Sequence, residues 1–201
     1  MATRVPRVRT LGPADLAGLG SCADCGFSLS ADLGWARSAQ QRWGLVGLDF
    51  RGSNGAAHVL LGDPDDLPEG HPLADRAIEP GVAVLLAVHM DQQFKGYRAA
   101  RLLVTALAAR LLGRAPALVT AASRGWTSCQ APSQAWLSGV GFRPLEPTEP
   151  GGDWLPAGTR LMRLDLSATV RWKAQLDRVA SQLRGVRVGW VRPAPETSAR
   201  R

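Results

Sequence analysis

Between Leu86 and Leu103 the chain passes from an apolar run into a polar, glycine-containing stretch and then into a helical pattern. A helix entered in this way leaves the N–H groups of its first turn without intrahelical partners, at the positive end of its dipole. A diphosphate suits such a turn. Lys95 adds a point charge, and Gly96 lets a ligand approach the backbone closely. The same pattern also describes a polar loop that merely starts a helix.

Other residues with chemical potential are scattered. Cys22-Ala-Asp-Cys25 has the spacing of half a zinc site, but only Cys129 remains to help, and a structural site needs four ligands. A redox pair would open a helix after a strand, which the pattern here does not offer. The three are read as ordinary thiols, and no metal ligand is expected. His58 and His71 have no partner nearby in sequence, and His89 falls just past the apolar run, in what reads as loop.

The elements that must position these residues follow from periodicity. Val5 to Thr10 reads as a strand, Leu11 to Gly20 as a turn into a short helix, and Ala31 to Trp43 as an amphipathic helix. Residues 44–61 form strand, Asn-Gly turn and strand, a β-hairpin. Residues 62–81, rich in proline, glycine and acid, form a long loop. Val82 to Val88 is apolar almost throughout, as expected of a strand buried on both faces at the centre of a sheet. Tyr97 to Leu112 gathers Ala100, Leu103, Val104, Leu107 and Leu111 on one stripe, and Ala117 to Ala121 is a short strand. Together they make a βαβ unit with a parallel strand pair. A short helix over 133–138, a strand from Gly141 and a last strand over 159–166 complete the domain. Ser167 caps a final helix to about residue 185, and 186–201 reads as a basic, flexible tail.

With 201 residues, 45% hydrophobic and 20% charged, the chain has material for one domain of 1–166 with appendages. No window is long and apolar enough for a membrane span and the N-terminus lacks the apolar stretch of a signal peptide, so cytoplasmic residence and no membrane partner are expected. The net charge of +7 sits almost wholly in the stretch from Arg171 to Arg201, which suits a polyanion contact through the tail and argues little about the domain. The acidic run from Asp63 to Glu79 would attract a cationic ligand by its field, or simply solvate a loop.

Gln93-Phe94-Lys95-Gly96-Tyr97-Arg98 resembles the cofactor motif of the GCN5-related N-acetyltransferases, Gln/Arg-x-x-Gly-x-Gly/Ala after the fourth strand. The order of elements from Val5 to Leu166 and the Gly141-Phe142 that opens a late strand are similar to that family too. The resemblance implies an α/β fold with a mixed, mostly antiparallel sheet, a splayed parallel central pair and helices on both faces, here with an extra C-terminal helix. It implies acetyl-CoA as co-substrate and an unidentified amine, a small molecule or a peptide, as acceptor. Amides around Gln93, Phe94, Lys95, Gly96, Tyr97 and Arg98 would bind the diphosphate. The backbone of strand 82–88, at Leu86 and Val88, would pair with the pantetheine arm, and a strand-four N–H would steady the oxyanion. Trp35 and Trp43 lie in the helix that in such enzymes helps form the acceptor site.

The sequence departs from the pattern at three points. Arg98 replaces a small residue, Leu137 stands four before Gly141 where many members place an acid tyrosine, and strand 82–88 has no carboxylate, with Glu79 just outside it. Cys129, before the short helix, is a candidate substitute proton donor. The catalytic residues are thus unassigned. Beside the enzyme stands an alternative, a non-catalytic domain that binds coenzyme A or serves as an interaction module with an arginine-rich tail.

Overall fold

The computed structural model describes residues 8–29, 33–52, 55–74, 76–91, 98–145 and 159–166. The final helix and tail, and residues 93–97 of the motif, lie outside them. Strand β1 (Val8–Leu11) leads through a 3-10 turn over Pro13–Gly18 and an irregular loop to helix α1 (Gly34–Trp43). The hairpin β2 (Gly47–Gly52) and β3 (Gly55–Gly62) follows, then β4 (Ala83–Met90), α2 (Arg98–Leu111), β5 (Ala117–Ala122), α3 (Gln134–Val140), β6 (Arg143–Pro144) and β7 (Arg160–Asp165). The strands form one seven-stranded sheet in the order β1-β2-β3-β4-β5-β7-β6. Every neighbouring pair is antiparallel except β4 and β5. That is the mixed, mostly antiparallel sheet with a central parallel pair expected from the resemblance.

The core explains the layers. The α2 stripe of Ala100, Leu103, Val104, Leu107 and Leu111 is buried, and it packs with Leu137 and Val140 of α3 on one face of the sheet. Leu16, Trp35, Ala36 and Leu73 cover the other face over Leu60, Val84 and Leu86. In β4 both faces are filled, which is why its sequence is apolar without alternation. Gly47 in β2 is required by crowding: a Cβ there would sit 2.2 Å from the Val59 carbonyl oxygen of β3.

Two features of β4 differ from the sequence expectation. The strand runs through His89 to Met90, so His89 is not in a loop; it pairs in register with His58 of β3, and the two rings stack with centroids 4.7 Å apart. The strand is also bulged. Leu60 pairs with Ala87 and Leu61 with Leu85, so Leu86 is the extra residue, and such a bulge bends its strand. Pairing with β5 stops at Ala83–Leu118 and Val84–Val119. Beyond that point the parallel pair parts.

Candidate functional site

The parting of β4 and β5 exposes polar backbone groups that a ladder would otherwise satisfy. Thr120 Oγ1 donates to the Leu85 carbonyl at 2.9 Å, in effect replacing the ladder bond at the first unpaired step. The Leu86 carbonyl lies 3.2 Å from His71 Nε2. Because the Leu73 N–H donates to His71 Nδ1, also at 3.2 Å, the ring must carry its proton on Nε2 and donate it to Leu86. Burial depresses the His71 pKa to about 4 despite the opposing pull of that carbonyl. His71 is therefore a neutral strut under the bulge.

The next outward-facing donor, the Val88 N–H, bonds to the Cys129 carbonyl at 2.8 Å. The segment between β5 and α3 thus folds back against the free edge of β4. It is anchored by Ser123, whose Oγ bonds to the carbonyls of Gly125 and Ala131, and by Ser133, which caps α3 through the Trp136 N–H. The two backbone positions expected to meet a pantetheine arm, Leu86 and Val88, do lie at the splay, and each has a partner within the protein.

A polar row crosses the sheet to the same place. Arg9 of β1, Asp49 of β2, His58 of β3 and His89 of β4 occupy successive paired positions. Asp49 is almost fully buried, and its Oδ2 accepts from Arg9 at 3.1 Å and Arg51 at 2.7 Å. Burial, reinforced by the neighbouring His89, drops the His58 pKa to about 4. His89 Nε2 is 3.1 Å from Asp91 Oδ1, while Asp91 Oδ2 accepts the Ala56 N–H at 2.7 Å. Partial burial alone would raise the Asp91 carboxyl; the Ala56 N–H and His89 outweigh it and hold it below the usual range. The other ring nitrogen, His89 Nδ1, lies 3.5 Å from Cys129 Sγ. Burial, and then the thiols of Cys22 and Cys25, push the Cys129 thiol far up, so it holds its proton and is no ready nucleophile.

On the face opposite α2, a cleft beside the bulge is lined by Phe27, Leu29, Trp35, Glu69, Leu86 and Gln130. Of the two helix tryptophans only Trp35 borders it. Trp43 packs into the core on the other face, so a pocket walled by both indoles does not form. The buried Trp35 Nε1–H has no hydrogen-bond partner among the described residues. Much of the acidic run is internally neutralised: Arg42 binds Asp63 at 2.6 Å and Asp65 at 2.9 Å, and Glu79 pairs with Arg163. Neither Asp66, which accepts from the Ser38 hydroxyl, nor Glu69 forms an ion pair among the described residues, and of the two only Glu69 lines the cleft. Leu137, at the tyrosine position, is wholly buried. Of the motif, Arg98 begins α2; residues 93–97 lie outside the described part.

No family model and no curated protein matches the sequence. Solved structures do match. Ard1 from Thermoplasma volcanium superposes with a TM-score of 0.51 at 10% identity, over 80% of this chain and 97% of that one. Arabidopsis thaliana NAA60, solved in complex with acetyl-CoA, gives 0.49 at 9% identity over 80% and 99%. The ribosomal-protein-S18-alanine N-acetyltransferase from Escherichia coli gives 0.46 at 16% identity over 81% and 94%. The chain has the fold of the GCN5-related N-acetyltransferases.

Proposed function

We propose that the protein is an acetyl-CoA-dependent N-acetyltransferase acting on an amine. The observation that carries this reading is the bulge at Leu86, which parts β4 from β5 beside a helix whose entry has the composition of a diphosphate site. The diphosphate rests on the amides of residues 93–98, and the pantetheine arm lies along Leu86 and Val88. Because the Cys129 carbonyl holds the Val88 N–H, the arm displaces that carbonyl when it enters, and the freed N–H becomes available to the thioester oxygen.

The acceptor approaches through the cleft of Phe27, Trp35 and Leu86, where Glu69 attracts its ammonium form and the apolar walls take its carbon skeleton. The ammonium first releases one proton to solvent; the neutral amine then attacks the acetyl carbonyl, the C–N bond forms, the C–S bond breaks, and the second amine proton ends on the coenzyme A thiol. A small molecule and a peptide N-terminus both satisfy these demands. The reduced thiols suit a cytoplasmic setting. A polyanion contact through residues 186–201 would be separate from this chemistry.

Release of free coenzyme A thiol from acetyl-CoA, followed against a panel of polyamines, aminosugars and peptides, tests the reading. Amine-dependent release above the rate of thioester hydrolysis supports it. Saturable coenzyme binding with no release under any amine would favour a coenzyme-binding module instead.

A further inference from the structure

Three cysteines that the sequence leaves as ordinary thiols are brought together by the fold. Cys22 and Cys25 sit in the loop before α1 and Cys129 in the loop before α3, 104 residues beyond Cys25. Their sulfurs all lie within 4.8 Å of one another, with Cys25 Sγ and Cys129 Sγ 3.6 Å apart. Cys22 and Cys129 are buried. We propose that Cys22, Cys25 and Cys129, with His89 as fourth ligand, form a zinc site that clamps the two loops to the end of β4.

Geometry and donor chemistry both support the site. With Zn–S near 2.3 Å and Zn–N near 2.0 Å, the edges of a ligand tetrahedron are about 3.8 Å between sulfurs and about 3.6 Å between sulfur and nitrogen. The Cys25–Cys129 separation of 3.6 Å and the Cys129–His89 Nδ1 separation of 3.5 Å already have those lengths. The longest sulfur separation has to shorten by at most about 1 Å, and His89 Nδ1, which stands outside the 4.8 Å cluster of the three sulfurs, has to be met by a shift of the loop that carries Cys22 and Cys25.

Cys22-Ala-Asp-Cys25-Gly26 is folded for chelation: the Gly26 N–H closes on the Cys22 carbonyl at 2.9 Å, and the Cys22 N–H bonds Phe27 O at 2.7 Å. Gly26 adopts φ +69°, a left-handed conformation that folds the chain back beneath the two sulfurs and that other residues adopt reluctantly. His89 is oriented as a ligand should be. In the tautomer whose Nε2–H donates to Asp91 Oδ1, the Nδ1 lone pair faces Cys129, the carboxylate–histidine arrangement that supports metal-bound imidazoles. Three thiols and an imidazole suit zinc and are poor ligands for magnesium or calcium. Binding of Zn²⁺ releases three thiol protons and leaves a site of net charge −1.

The test is made on the full chain, purified under reducing conditions without chelator. Elemental analysis should find one zinc per chain, lost in Cys25→Ser and Cys129→Ser. Since either variant could fail to fold, Co²⁺ is also titrated into chelator-treated wild-type protein. An intense thiolate-to-cobalt charge-transfer band and a tetrahedral d–d spectrum should appear, zinc should bleach both, and bound zinc should protect all three thiols from alkylation. His89→Ala should keep the charge-transfer band, alter the d–d bands and weaken cobalt binding at least tenfold. Reduced wild-type protein that holds no zinc and develops no such band overturns the site, as does metal binding unchanged by Cys129→Ser. An unchanged d–d spectrum in His89→Ala overturns the fourth ligand. Isolation of a Cys25–Cys129 disulfide that re-forms in preference to metal binding would overturn the proposal in favour of a redox pair.

Discussion

Gly96 is where a single side chain bears hardest on the coenzyme assignment. A glutamate there adds a Cβ and a negative charge beside the proposed diphosphate, so Gly96→Glu should abolish acetyl-CoA binding by calorimetry while the circular dichroism spectrum stays unchanged. Lys95→Ala should weaken binding only a few-fold, because backbone amides carry most of the charge. Unchanged affinity in Gly96→Glu would move the site elsewhere. At the acceptor side, Glu69→Gln removes the one acidic group that lines the cleft among the described residues and keeps its size. It should raise KM for a cationic amine about five- to tenfold with little change in kcat, as expected for a screened ion pair of roughly 1 kcal/mol. An equal loss in kcat would make Glu69 part of the chemistry. At this scale the sequence displayed the residue types but not their meetings. Cys22 and Cys25 announced themselves by spacing; that Cys129 joins them depends on where the loop before α3 folds, which no local pattern encodes. His89 looked like loop because a polar residue ended an apolar run, yet stacking on His58 and the Asp91 contact make it a strand residue.

The parting of β4 from β5 rests on a few polar stitches, of which Thr120 is the most exposed to test. Its hydroxyl satisfies the Leu85 carbonyl in a buried setting. Thr120→Val keeps the shape and removes the donor, so urea unfolding should show a loss of about 1–3 kcal/mol. A loss below about 0.5 kcal/mol would mean that the carbonyl finds another partner. The elements themselves were largely legible. The uninterrupted apolar run gave the central strand, the helical stripe gave α2, and the two apolar strands flanking Asn54-Gly55 gave the hairpin to within a few residues. The bulge was not legible, because an extra residue in β4 exists only relative to the register of β3. The inward fold of the segment between β5 and α3 escaped for a similar reason: its main anchors, Ser123 and the Cys129 carbonyl, work through contacts with other segments.

For the molecule as a whole, the buried neutral histidine under the bulge makes stability depend on pH. His71 titrates near 4 in the folded chain and near 6.5 when unfolded, so its contribution is complete above about pH 6.5. As pH falls toward 4 the unfolded state gains a proton that the folded state refuses, which removes roughly 3 kcal/mol. Against a typical total of 5–15 kcal/mol that loss is large. Melting temperature should fall between pH 6.5 and 4, and His71→Gln should start lower at neutral pH and fall less steeply; an equal slope in both would assign the acid sensitivity to other groups.

The central claim, that this fold binds acetyl-CoA at the start of α2 and along the free edge of β4, is tested most directly by the melting temperature of the full chain with acetyl-CoA or NAD. At 100 times its dissociation constant a ligand adds about 2.7 kcal/mol, which for a chain of this size is a rise of roughly 5–10 °C. Acetyl-CoA should produce that rise and NAD should not, since residues 93–98 lack the Gly-x-Gly-x-x-Gly turn of a dinucleotide site. No shift with millimolar acetyl-CoA, or an equal shift with NAD, would contradict the account.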